Sequence, residues 1–156
     1  MMDIYADTNF FTGLYCAGPN GDEASRLDSS VGGARFKGYP LTFLTRLEFV
    51  NALQQSVYST RHGVPGIQLS MEMALVVEAM FMQHLKDGRR LRHVQTDTLQ
   101  LEAMFQTLSH RHTAKEGFRT YDLLHVSSAL VLGCDTFWSF DAKAKKLAKL
   151  EGLLVN

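Results

Sequence analysis

Two short apolar runs in this sequence end in an aspartate and pass straight into a helical pattern, and no other feature restricts the fold as much. The first is Ile4-Tyr5-Ala6, leading to Asp7-Thr8-Asn9; the second is the β-rich run from Thr136 to Phe140, leading to Asp141. A strand covered on both faces reads as a continuous apolar run rather than as an alternation. Strands alternating with helices argue for a parallel sheet with helices on both faces. In such sheets ligands sit at the C-terminal ends of the strands, where both aspartates fall.

The rest of the chain fits this alternation. A helix is expected near residues 10–15, and residues 17–40, rich in Gly, Ser and Pro, form the main loop region around a short helix at 22–29. Residues 40–45 read as a strand running into a helix that carries Leu44, Leu47, Phe49, Val50 and Leu53. Residues 66–86 read as a long helix with Met73, Val76, Val77, Met80, Phe81 and His84 on its buried face. Leu75, Ala79 and Met82 widen that apolar surface, which suits either a sandwiched core helix or a homodimer contact. A strand is expected over 90–95, then a helix capped by Thr96 or Asp97 to about 110, and a polar connection over 110–119. A helix over 121–132, a helix over 141–150 and a last strand over 153–155 complete a single domain spanning 1–156.

Sixteen Lys+Arg balance sixteen Asp+Glu, so no global positive field attracts a polyanion. Nucleic-acid binding then has to come from local basic patches or a bound cation. Cys16 and Cys134 form neither a disulfide framework nor a CxxC clip, as expected of reduced thiols in a cytoplasmic protein. No signal-peptide pattern opens the chain, and the most apolar stretch, MALVVEAMFM, carries Glu78 and is too short to span a bilayer; no membrane association is expected.

Glu48 falls in the first turns of the helix after the second strand, and Asp122 opens a helix after a loop, so both join Asp7 and Asp141 near one sheet edge. Each acid alone also suits a helix cap, a helix-dipole partner or a solvated helix position. Together, beside Thr8, Asn9 and Ser139, they are expected to form a group of carboxylates whose charge is left uncompensated. Such a group repels itself and is stable near neutrality only around a hard cation such as Mg²⁺ or Mn²⁺.

The segments YADTNFF, LTRLEFVNAL, TYDLLHVSSALVLGC and FWSFDAKAKKLA resemble, in order and spacing, the four acidic blocks of PIN domains. The resemblance spans nearly the whole chain, is most specific from Thr120 to Asp141, and comes closest to the VapC-type toxins of bacterial toxin–antitoxin modules. It implies a three-layer α/β/α sandwich with a central parallel sheet, and a ribonuclease dependent on Mg²⁺ or Mn²⁺ that hydrolyses RNA phosphodiester bonds. It also implies a cognate antitoxin and a homodimer. By residue, Asp7, Glu48, Asp122 and Asp141 match the four acids, catalytic and metal-binding, and Ser139 matches the small hydroxyl residue before the last.

Arg46, Lys143 and Lys146 flank the expected site as candidate RNA contacts, although lysines on a terminal helix are more often a solvated face. Arg89, Arg90, Arg92, Arg111 and Arg119 form a looser set. His125 reads as packing against the sheet, His110 and His112 as a solvated loop, and Asp97 as a cap. A dinucleotide site is excluded because no GxGxxG follows the first strand. A haloacid-dehalogenase-like phosphatase wants an aspartate where Asn9 stands. The rival from another class is a PIN-like module without catalysis that binds RNA or a protein.

Overall fold

Burial along the first strand follows its period of two. Ile4 and Ala6 of β1 (Ile4–Ala6) join one apolar cluster, while Tyr5 between them joins a second on the opposite face. The computed structural model describes residues 3–32 and 36–156. After β1 come α1 (Thr8–Cys16), α2 (Gly21–Ser30), β2 (Tyr39–Leu41), α3 (Phe43–Arg61), α4 (Met71–Asp87) and β3 (Leu91–His93). Then follow α5 (Thr98–Leu108), a π-helical turn (Ser109–Thr113), α6 (Ala114–Glu116), α7 (Thr120–Val131), β4 (Thr136–Trp138), α8 (Ala142–Leu150) and β5 (Leu154–Val155). Every strand pairing is parallel: β4 lies between β1 and β5, β2 pairs with β3, and β2 packs beside β1.

Three layers result. Phe10 and Phe11 of α1, Leu27 of α2, Phe49 and Leu53 of α3 and Phe81 of α4 cover one face of the strands. Leu108 of α5, Leu123 and Val126 of α7 and Leu147 of α8 cover the other, packing against Tyr5 and Phe137. β1, β2 and β4 are therefore buried on both faces, which explains why they read as unbroken apolar runs. The α/β/α sandwich with a parallel sheet expected from the sequence is the fold found.

Several boundaries and one face differ from expectation. The second strand stops at Leu41 because the Thr42 hydroxyl accepts a hydrogen bond from the Thr45 amide and caps α3 one residue later, so Phe43 to Thr45 are helical. In the same way Ser70, accepting from the Met73 amide, starts α4 at Met71 instead of Gly66. The buried side of α4 carries Ala74, Val77, Phe81 and Leu85, with Phe81 stacked on Phe49 at 3.9 Å between ring centres. Met73, Val76 and Met80, expected inside, are exposed. A helix apolar all round offers two stripes that fit the 3.6 period equally well, and only packing chooses between them. Residues 109–116 are helical where a polar connection was expected, and Gly117 ends the turn in the left-handed region with φ +66°. The short helix expected at 22–29 is α2; residues 33–35 of that loop region lie outside the described residues.

Candidate active site

The parallel ladder places two of the acids. Ala6 is registered opposite Trp138, and the Asp7 amide donates to the Trp138 carbonyl at 3.0 Å, so Asp7 leaves β1 level with Ser139 and Asp141 leaving β4. Both aspartates cap the helices that follow: one Asp7 oxygen accepts from the amides of Asn9 (3.1 Å) and Phe10 (3.3 Å), and one Asp141 oxygen from those of Lys143 (2.8 Å) and Ala144 (3.1 Å). The side chains that cap these helices thus also line a shared cleft. Asp122 enters from the first turn of α7, and Glu48 from the second turn of α3. All four line one cleft of about 300 Å³ at the C-terminal strand ends, together with Thr8, Asn9, Thr12, Arg119, Tyr121 and His125.

The polar residues named from the sequence fix these carboxylates. Thr8 donates its hydroxyl to Glu48 Oε2 at 2.7 Å. Asn9 donates its side-chain amide to Asp7 Oδ2 (3.0 Å) and to Ser139 Oγ (3.3 Å), and its oxygen accepts from the Phe140 amide at 2.7 Å. Ser139 Oγ accepts from the Asp141 amide at 2.9 Å, so one hydroxyl ties the two strand ends together.

The expectation of uncompensated charge is overturned. Arg119 bridges two acids: its Nη2 lies 3.0 Å from Asp122 Oδ1 and 2.5 Å from Asp141 Oδ2, and its Nε donates to Asp122 Oδ2 at 3.0 Å. His125 reaches the site instead of merely packing on the sheet, with Nε2 2.5 Å from Glu48 Oε2 and Nδ1 2.9 Å from the Tyr5 hydroxyl. Tyr5 in turn meets Thr45 Oγ1 at 3.2 Å, which continues the network into the core. Among the described residues no three Asp, Glu, His or Cys side chains stand as a ready metal cage. The donor set is nevertheless all-carboxylate oxygen in one cleft, the chemistry that hard divalent cations take.

Each perturbed ionisation has a local cause. Burial pushes the Asp7 carboxyl up to about 6, against the downward pull of His125 and of its hydrogen bonds. Burial also opposes ionisation of Glu48, but His125 and Thr8 outweigh it and lower its pKa. Burial disfavours the charged form of His125, yet Tyr5, Glu48 and Asp7 raise it well above an ordinary imidazole. Asp141 is held low, its partial burial offset by the α8 amides and Arg119.

The remaining candidates lie elsewhere. Lys143 donates to the Gly117 carbonyl at 2.9 Å and Lys146 pairs with Glu116, so both brace the turn before α7 and neither lines the cleft. Arg46 also lies off the cleft, with Nε buried and without a hydrogen-bond partner. Asp97 caps α5 through the Gln100 amide (2.8 Å), as its position suggested. His112 is not solvated: it meets Glu151 at 2.5 Å beside Arg111. Arg119 and His125 were weighted too low, although each stands three residues from Asp122 and so on its side of α7, while Thr12 and Tyr121 were not anticipated.

By sequence, no protein-family model and no curated protein matches the chain. Solved structures do. A toxin from Mycobacterium tuberculosis, VapC20, described as cleaving the sarcin-ricin loop, superposes with a TM-score of 0.63 at 17% identity over 92% of this chain and 93% of its own. VapBC2 from Rickettsia felis, solved bound to a DNA fragment from its promoter, gives 0.66 at 13% identity over 100% and 98%. FitAcB from Neisseria gonorrhoeae gives 0.60 at 17% identity over 97% and 95%. At such identities the likeness establishes the fold.

Proposed function

From a chain whose fold is that of VapC-type PIN domains, we propose a metal-dependent endoribonuclease that hydrolyses RNA phosphodiester bonds, the toxin of a toxin–antitoxin pair. The observation that carries this reading is the convergence of Asp7, Glu48, Asp122 and Asp141, from four separate elements, on one cleft at the strand ends. The M. tuberculosis neighbour, a sarcin-ricin loop cleaving toxin, supports the substrate class. Asp7, Asp122 and Asp141 are the residues to hold Mg²⁺ or Mn²⁺, with Glu48 oriented by Thr8 and His125 to take a proton from the attacking water. A bound cation supplies a water of lowered pKa and a polarised phosphate. Thr8, Asn9 and Ser139 keep the carboxylates from turning away. Arg46, Lys143 and Lys146, which lie outside the cleft, are the proposed RNA contacts. The exposed Met73, Leu75, Val76, Met80 and Met82 on α4 form the surface proposed for a homodimer.

Asp122→Asn tests the function. Asn retains an oxygen for the Arg119 amide, now at 3.0 Å, but not the charge that holds a hard cation. Cleavage of RNA in Mn²⁺ should fall on the order of a hundredfold or more, in line with the loss of a central electrostatic group, with the melting temperature nearly unchanged. A variant as fast as the wild type places the active site elsewhere. The second reading, a non-catalytic module that binds RNA or a protein, draws on the in-chain donors that already partner each acid. Wild-type protein, freed of any partner, that cleaves no RNA in Mn²⁺ would select it.

A further inference from the structure

We propose that the Arg119 guanidinium is a resident counter-cation of the Asp122–Asp141 pair, occupying it until a divalent cation loads and weakening that cation's binding while it stays. The inference rests on the metal-dependent reading above and adds a competitor built into the chain. One nitrogen, Nη2, touches both carboxylates, at 3.0 Å and 2.5 Å, so the two acids share a single positive charge. While the guanidinium stays on those oxygens, an inner-shell cation on the same carboxylates would lie within a few ångströms of a like charge and bind less tightly. A dication also matches two carboxylates better than one guanidinium does.

The two basic groups lining the cleft differ in their freedom to leave. The His125 side chain is 7% exposed and tied at both ring nitrogens, to Glu48 and to Tyr5. The Arg119 side chain is 61% exposed and reaches the acids from the solvent side. Once it swings out, its charge is hydrated and not stranded in the interior. Asp122 does not depend on the guanidinium for its position, because its Oδ2 also accepts the Arg119 backbone amide at 3.0 Å at the start of α7. Neighbouring contacts hold the backbone there while the side chain moves: Lys143 on the Gly117 carbonyl and Lys146 on Glu116.

Titration calorimetry with MnCl₂ on the full chain tests this without reference to activity, comparing wild type, Arg119→Gln, Arg119→Lys and Asp122→Asn. Arg119→Gln should bind Mn²⁺ about tenfold tighter than wild type, equivalent to about 1.4 kcal/mol. Arg119→Lys should fall between them, since an ammonium lacks the planar fork that spans two carboxylates. In EDTA the Gln variant should melt below wild type, and added Mn²⁺ should reverse that order. If Arg119→Gln does not fold, tighter binding by Arg119→Lys than by wild type carries the test. Equal or weaker binding by the Arg119 variants, with binding lost in Asp122→Asn, overturns the competitor role and leaves the metal reading standing. Absence of Mn²⁺ binding in every protein overturns both.

Discussion

Asp7 should make this protein less stable as pH rises from about 4 to about 7 in the absence of metal. Its carboxyl is buried, 4% exposed, and burial is the main cause of a rise from 3.8 to about 6. A carboxyl whose pKa is higher folded than unfolded stabilises the fold fully below the unfolded value, and that contribution is lost as pH climbs through the folded one. At 1.36 kcal/mol per pH unit the total is about 3 kcal/mol, of which roughly 2 kcal/mol falls between about pH 4.5 and 7.5. Asp7→Asn removes the titration while keeping an oxygen for the Asn9 and Phe10 amides that cap α1. Urea denaturation in EDTA at both pH values, on wild type and variant, follows the effect; Glu48 and Asp141 titrate in both proteins, and the variant also lacks the Asp7 charge that helps hold His125 protonated. Relative to wild type, the variant should gain roughly 2 kcal/mol on going to the higher pH. A difference between the two proteins that stays constant across that range would refute the assignment of the shift to Asp7. Saturating Mg²⁺ should shrink the gain, since a bound cation stabilises the ionised form.

Three further perturbations probe the scaffold. Tyr5→Phe keeps the stacking on Phe137 but leaves buried His125 Nδ1 without its hydroxyl partner, and should cost about 1–3 kcal/mol in urea denaturation; an unchanged midpoint would show that the hydroxyl does not anchor His125. Phe81→Ala should cost about 3–5 kcal/mol by emptying the space against Phe49. Met80→Ser, on the exposed side of α4, should change the stability of the folded monomer by less than about 0.5 kcal/mol. Light scattering should then find wild type at twice the monomer mass and the Met80 variant as monomer, whereas monomeric wild type at micromolar concentration removes the dimer proposal.

What the sequence determined by itself was local. A strand that ends in an aspartate which caps the next helix is written within a few residues, so β1–Asp7–α1 and β4–Asp141–α8 were legible, as were the α/β alternation and four acids at strand ends. Helix starts at Thr42 and Ser70 were legible in principle, since both are hydroxyl caps, but apolar residues on either side blurred them. Tertiary structure decided the rest. Which stripe of α4 faces inward depended on Phe49 waiting across the gap, a contact 32 positions away by subtraction of the residue numbers. The pairing of Glu48 with His125 joins residues 77 apart, and that of Arg119 with Asp141 joins residues 22 apart. Charges listed along a chain carry no partner information over such distances, because a side chain's Coulomb environment is set by whatever packing brings within a few ångströms of it. That is why a cluster of acids that looked bare in the sequence is, in the folded protein, already held by an arginine and a histidine of its own.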